Sequence, residues 1–299
     1  MDLLVAWDWE YDLAFVTRLV NRATEAGLAA RALHTREIEA GASINPAEVK
    51  VLLDRASDVS QAVASLARAA RQAGAYVVND PDLVPDATDK ATMHLRLMAA
   101  GVHVPWTILL APLADRRPGE LDALPRIGTP FVVKPARGSG GQGVVVDAST
   151  LTDILVARAR FKDDKYLVQE RVEPKVVDQR PAYFRVLFCL GDIVVCFWDP
   201  KTRVYTPLSP EQEASAWCQE VREVARVTAR VSGMDLFSTE VAMTADGRPV
   251  SVDYVNDMCD LRPASEASDG VPDRLLDAIV ARLVVLARQG PPTTATTRQ

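Results

Sequence analysis

The chain has 299 residues, with 34 Lys plus Arg against 40 Asp plus Glu and a formal net charge of −6. That length suits two or three modules, and the acidic balance argues against nucleic-acid binding by phosphate neutralisation. Hydrophobic residues make up 48% and charged residues 25%, which excludes wholesale disorder, and no apolar run reaches the ~18–20 residues of a membrane span. MDLLVAWDWE carries acids where a secretion signal carries positive charge. Four cysteines in no CxxC pair (Cys189, Cys196, Cys218, Cys259) and three scattered histidines argue against a disulfide framework or structural zinc. The expected location is a reducing cytoplasm.

DLLVAW reads as a strand, residues 11–26 as an amphipathic helix stopped by Gly27, and LAARAL and VKVLLD as strands. Residues 58–73 form a helix ended by Gly74, and AYVVN is a further strand. Strands alternating with helices predict a parallel α/β domain over residues 1–86. DATDKATMHLRLMAAG is a short helix, WTILLA a strand, and FVVK and VVVDA two antiparallel strands around a glycine loop. Thr150 and Asp153 form a capping box for a helix through Arg160. These make a small α+β lid over residues 87–165. From Tyr166 the pattern is mostly β: KYLVQERV, then a hairpin YFRVLFCL–GD–IVVCFWD turning at Gly191–Asp192. One helix starts at Ser209 and Pro210, with the stripe Trp217, Val221, Val224, Thr228, Val231, and stops at Gly233. A second hairpin and a final helix over about 272–288 complete a larger α+β domain, 166–290, before a disordered tail, 291–299.

Three features carry chemistry. GSGGQG (Gly138, Ser139, Gly140, Gly141, Gly143) satisfies G-x-G-x-x-G, but a strand follows it instead of the helix a dinucleotide fold needs. A P-loop Gly-Lys-Ser/Thr and the HRD and DFG of a protein kinase are absent too. What remains is a flexible hairpin whose N–H groups can cover phosphates, with Lys134 at the end of the preceding strand to neutralise them. A simple surface hairpin is the competing reading. The second feature is FSTEVAMTADGRPVSVDYV. With Asp246–Gly247 as a two-residue turn, Glu240 opposes Asp253, while Val241, Met243, Val250 and Val252 form the buried face. Facing carboxylates repel without a cation, and hard oxygen ligands favour Mg²⁺; a solvated polar face is the alternative. Asn256 adds a neutral oxygen only if a bulge or the strand's end brings it to the Asp253 side. The third is VQERV, where the strand backbone can meet a purine, with Arg185 placed inside the apolar YFRVLF.

In family order, NDPDLVPDATDK, GVHVPWT, FVVKPARGSGGQGVVV, YLVQERV, YFRVLF and STEVAM…VSVDYVN resemble the ATP-grasp superfamily. The likeness is greatest to its carboxylate–amine ligase branch, which includes D-alanine–D-alanine ligase, glutathione synthetase and ribosomal S6 modification enzymes. It covers about residues 1–257. The resemblance implies an ATP-grasp fold with an N-terminal parallel α/β domain, a small α+β lid and a larger antiparallel-sheet C-terminal domain. It also implies ATP and Mg²⁺ (or Mn²⁺) as cofactors. Lys90 and Lys134 would contact the phosphates under the 138–143 loop, Gln169, Glu170, Arg171 and Val172 would meet adenine, and Asp178 the ribose. Arg185 would face phosphate, and Glu240, Asp253 and Asn256 would hold magnesium. The family usually puts one residue between the last acid and the Asn. Here Tyr254 and Val255 intervene, which leaves Asp257 as a rival ligand.

The expected activity is ligation: Mg²⁺–ATP phosphorylates a carboxylate of an amino acid or peptide-like substrate, and an amine displaces phosphate. A hydroxyl-directed kinase of the same fold and a non-catalytic ATP binder are the alternatives. Lys201, Arg203 and Arg262 are candidates for the carboxylate substrate or the acyl phosphate, though surface charge explains each as well. The expected partners are small molecules, with no nucleic acid and no membrane, and a homodimer is left open.

Overall fold

The computed structural model describes residues 1–138 and 140–290; Ser139 and the tail 291–299 lie outside the described residues. The chain begins with β1 (Leu3–Trp7), α1 (Leu13–Glu25), β2 (Ala30–His34), α2 (Thr35–Glu39), β3 (Val51–Arg55), α3 (Gln61–Gln72) and β4 (Tyr76–Val78). These strands form a parallel sheet in the order β2-β1-β3-β4. Leu3, Leu4, Val5 and Ala6 are buried on both faces, as a helix-covered parallel sheet requires.

Two short helices follow, α4 (Val84–Ala87) and α5 (Lys90–Ala99). Asp89 caps α5 by accepting Thr92 N–H at 2.9 Å, which fixes Lys90 as its first residue. Next come β5 (Thr107–Leu110), β6 (Phe131–Pro135), β7 (Val145–Ala148), α6 (Leu151–Arg160) and β8 (Tyr166–Glu170). They build an antiparallel sheet, β5-β8-β6-β7, and the Thr150–Asp153 capping box starts α6. Tyr166–Glu170, at the start of the segment assigned to the C-terminal domain, is thus an inner strand of this four-stranded sheet.

The remainder contains a small hairpin, β9 (Val176–Val177) with β10 (Arg180–Pro181), then β11 (Tyr183–Cys189), β12 (Asp192–Trp198) and β13 (Tyr205–Pro207). It closes with α7 (Pro210–Glu213), α8 (Ala216–Ser232), β14 (Leu236–Met243), β15 (Pro249–Asn256) and α9 (Asp273–Gln289). Five strands make an antiparallel sheet, β13-β12-β11-β14-β15.

Two expectations change. The β11–β12 turn is Leu190–Gly191, one residue earlier than the sequence suggested, because Cys189 pairs with Asp192. Both turn residues take positive φ, 52° and 97°. Leu190 tolerates this because Asp235 O accepts its N–H at 2.7 Å and Arg282 donates to its carbonyl at 2.8 Å. The helix expected to run unbroken from Ser209 is two helices: Ser215 accepts Cys218 N–H at 3.3 Å and starts a second one.

One face of the five-stranded sheet is mostly apolar, with Thr239 and Ser251 as buried polar exceptions. Phe184, Val186, Phe197, Phe237, Val241 and Met243 pack with Val221 and Ala225 of α8. The opposite face is divided. Leu187, Cys189 and Leu236 join α1 and α9 in a second core, whereas the other end of the same strands is polar.

Candidate active site

Residues directly opposed across antiparallel strands share a face. Asp253, Glu240, Arg185 and Cys196 oppose one another in one row across β15, β14, β11 and β12. Near the turn, however, the β14–β15 register is one residue off what a two-residue turn at Asp246–Gly247 gives, with Val241 opposite Ser251. An irregularity between there and Glu240 restores the opposition, leaving Val252 as the extra residue. A second shift lies between Glu240 and Ser238, which opposes Asn256. Ser238 and Glu240 are two apart on one strand and share a face, so Asn256 and Asp253 share it too. The bulge at Tyr254–Val255 thus brings Asn256 to the acidic face.

Glu240 is held on both oxygens: Tyr183 donates to Oε2 at 2.7 Å and Arg185 Nη1 donates to Oε1. The Arg185 guanidinium lies 5.2 Å from the Trp198 ring centre. Burial lowers the pKa of Arg185, but Glu240 together with Tyr205, Asp253 and Cys259 raises it overall above the usual range. Burial, then Glu240, pushes the Tyr183 hydroxyl well above its usual range. Arg185 Nε, Trp198 Nε1 and Ser238 Oγ are buried with no partner among the described residues. Three such orphaned polar atoms lie at one end of one sheet face.

Lys134, at the end of β6, is 6% exposed and donates to Val252 O at 2.8 Å. Burial, then the neighbouring Lys90 charge, lowers its pKa to about 8 against the pull of Asp253 and Glu240. Asp253 answers to the same charges: burial raises its pKa, but Lys90, Lys134 and Arg185 hold it below the usual carboxylate range. Lys90 donates through Nζ to Gly138 O at 2.8 Å and through its backbone to Ala136 O at 2.8 Å, binding α5 to the root of the glycine loop. Gly143 has φ +75°, and a Cβ there would sit 2.6 Å from Phe161 Cε2, so any side chain at this position is strained unless the Phe161 ring shifts.

The remaining candidates are dispersed. Gln169 is buried and points inward, donating to Thr107 Oγ1 and Tyr254 Oη at 2.9 and 3.0 Å. β8 is not an edge strand, and the Glu170 N–H is taken by Trp106 O at 2.9 Å. Arg171 and Val172 follow the last paired residue of β8, and the Arg171 side chain is ion-paired with Asp147 and Glu173 at 2.6 and 2.8 Å. Asp178 occupies the β9–β10 turn with φ 49° and accepts from Gln212 at 2.6 Å. Lys201 and Arg203 are exposed between β12 and β13, with no ion pair among the described residues. Arg262 is engaged by Asp260 at 2.5 Å and Asp269 at 3.1 Å and stacks on Tyr11 at 5.1 Å. Burial first, then Asp58, raises the Asp257 carboxyl to about 6, with Arg55 opposing, so Asp257 answers to β3 and its following loop. The sequence reading missed Tyr183, Trp198, Ser238, Tyr254 and His94. Only Tyr254 left a signal, the extra residue in Asp-Tyr-Val-Asn.

No protein-family model and no curated protein matches the chain. Solved structures do. The chain is similar to the RimK domain ATP-grasp protein from Sphaerobacter thermophilus at 20% identity and TM-score 0.62, covering 95% of this chain and 99% of that one. It is similar to the macrocyclase MdnC from Microcystis aeruginosa, bound with precursor peptide MdnA, at 13% identity and TM-score 0.66, again covering 95% and 99%. The ATP-grasp ligase PsnB, complexed with precursor peptide PsnA2 and AMPPNP, matches at 14% identity and TM-score 0.61 over 94% and 97% of the two chains. The chain therefore has the ATP-grasp fold: an N-terminal parallel sheet followed by a four-stranded and a five-stranded antiparallel sheet.

Proposed function

We propose that the chain is an ATP-dependent ligase that joins a carboxylate to an amine through an acyl phosphate. The observation that carries this reading is the polar end of the five-stranded sheet, where Lys90, Lys134, Arg185, Glu240 and Asp253 meet around partnerless buried atoms. Structural neighbours described with AMPPNP, or with Mg and ADP, add support. The donor set fits magnesium. Glu240, Asp253 and Asn256 offer hard oxygens on one face, and Mg²⁺ usually takes only one or two protein carboxylates beside phosphate oxygens. Although Tyr183 and Arg185 occupy Glu240, an ionised carboxylate keeps further lone pairs. When bound, the metal would screen the charge that builds up on the transferring phosphoryl group.

In this reading Lys134 and Lys90 bind the phosphates beneath the glycine loop, and that loop excludes water. Arg185 stabilises the phosphoryl group, and the chain after Glu170 receives the base through Arg171 and Val172. Asp178 is the candidate for the ribose, and Lys201, Arg203 and Arg262 are the candidates on the carboxylate side. Macrocyclase MdnC and ligase PsnB, each described with a precursor peptide, favour an amino-acid or peptide carboxylate as substrate class. Product analysis tests the proposal. Ligation releases ADP and free phosphate in step with a new amide. ADP with a phosphorylated alcohol would replace ligase by kinase, and binding without turnover of any acceptor would leave an ATP-binding protein.

A further inference from the structure

The bulge that carries Asn256 to the acidic face also turns Tyr254 into the core, where it is 0% exposed. Its hydroxyl lies 2.7 Å from His94 Nδ1 and 3.0 Å from Gln169 Nε2. An amide nitrogen only donates, so Gln169 spends one N–H on Tyr254 and the other on Thr107 Oγ1 at 2.9 Å. The Thr107 proton goes on to Pro105 O at 2.7 Å. Donation of the single Tyr254 proton to His94 Nδ1 corresponds to the neutral imidazole tautomer protonated on Nε2. The donors of Gln169 and Thr107 are thus used, and the contacts to Gln169 and His94 anchor the Tyr254 hydroxyl. The Lys134 ammonium stands 5.3 Å from the centre of that ring while it donates to Val252 O. Four elements thus meet at one side chain: α5 with Lys90, β6 with Lys134, β8 leading to Arg171 and Val172, and β15 with Asp253 and Asn256.

We propose that Tyr254 is a positioning residue for nucleotide binding: its ring holds the Lys134 ammonium, and its hydroxyl, through His94 and Gln169, ties the metal-side strand to the strand that leads to the base. This rests on the proposed contact of Lys134 with ATP phosphate. The residue that departs from the family's spacing is, on this account, the support of the phosphate-binding lysine. A tyrosine that merely fills the core would touch the same atoms, so the test must read the coupling to Lys134.

The experiment is a double-variant cycle on the full chain. Affinity for a non-hydrolysable ATP analogue with magnesium is measured by calorimetry in the unmutated protein, Tyr254→Leu, Lys134→Ala and the double variant. Tyr254→Leu is expected to weaken binding about tenfold, the scale of a desolvated cation–π contact. In the Lys134→Ala background the same change is expected to alter affinity by less than about twofold. Equal weakening in both backgrounds would overturn the proposal, because Tyr254 would then act through the core at large. Undiminished affinity in Lys134→Ala alone would instead reject the phosphate role of Lys134, and the proposal with it. If Tyr254→Leu does not fold, Tyr254→Phe carries the same cycle. It keeps the ring and loses the hydroxyl, with about threefold weakening expected only where Lys134 is present.

Discussion

The two ends of one sheet face differ in how they satisfy themselves. At one end Leu187, Cys189 and Leu236 close against α1 and α9. At the other, Tyr183, Arg185, Glu240 and Asp253 leave Arg185 Nε, Trp198 Nε1 and Ser238 Oγ buried without partners among the described residues. The strand pairs differ in the same way. β11 and β12 keep one register over their whole length, whereas β14 and β15 slip twice, beside Asp253 and before Asn256. Regular pairing serves the core, and the irregular pairing aims an amide and two carboxylates at one spot. The apolar end should therefore govern stability and the polar end nucleotide chemistry, and substitutions can break that division.

The largest effect is expected at Asp253. Asp253→Asn removes the carboxylate that faces Lys90, Lys134 and Arg185. Turnover should fall about a thousandfold, as for loss of a metal-side charge worth several kcal/mol, with the fold intact by circular dichroism. Turnover within tenfold of the unmutated protein would break the comparison. Leu236→Ala, at the apolar end, should cost about 2–5 kcal/mol in urea unfolding while analogue affinity in the folded protein stays unchanged. Lys134→Ala should do the reverse, weakening ATP by about 1.5–3 kcal/mol in calorimetry with a smaller change in unfolding midpoint.

A pH series sharpens the contrast. Burial, with Lys90 next, places Lys134 at about 8, and phosphate needs its ammonium form. Affinity should therefore be flat below pH 8 and fall above it, with proton uptake on binding there. His94, lowered to about 4 by burial and then by Lys134, stays neutral throughout that range. A profile that stays flat through pH 9 would detach Lys134 from the phosphates.

Local rules made most of the fold legible. The α/β alternation, the Thr150 capping box, the glycine loop after β6 and the five-stranded sheet's hairpins all follow from periodicity and turn residues. The opposition of Glu240 to Asp253 was also legible, though by way of the wrong turn: the actual register near Asp246–Gly247 is off by one, and the extra residue at Val252 compensates. Bulges leave no period-2 signature, so the placement of Asn256 stayed open between two faces. Positive φ at Leu190 was hidden because a leucine there is held by Asp235 and Arg282, which are distant in sequence. Gln169 looked like part of a base-binding edge, yet β8 lies inside its sheet and the side chain turns toward Tyr254. His94 and Tyr183 gave no sign at all, since their partners are 160 and 57 residues away.

The most direct test is a crystal structure of the chain with a non-hydrolysable ATP analogue and magnesium. The account predicts the metal at about 2.1 Å from oxygens of Glu240 or Asp253 and of the analogue's phosphates, with Lys134 Nζ hydrogen-bonded to phosphate. A metal more than about 3 Å from both carboxylates, or phosphates lying away from Lys134, would contradict it.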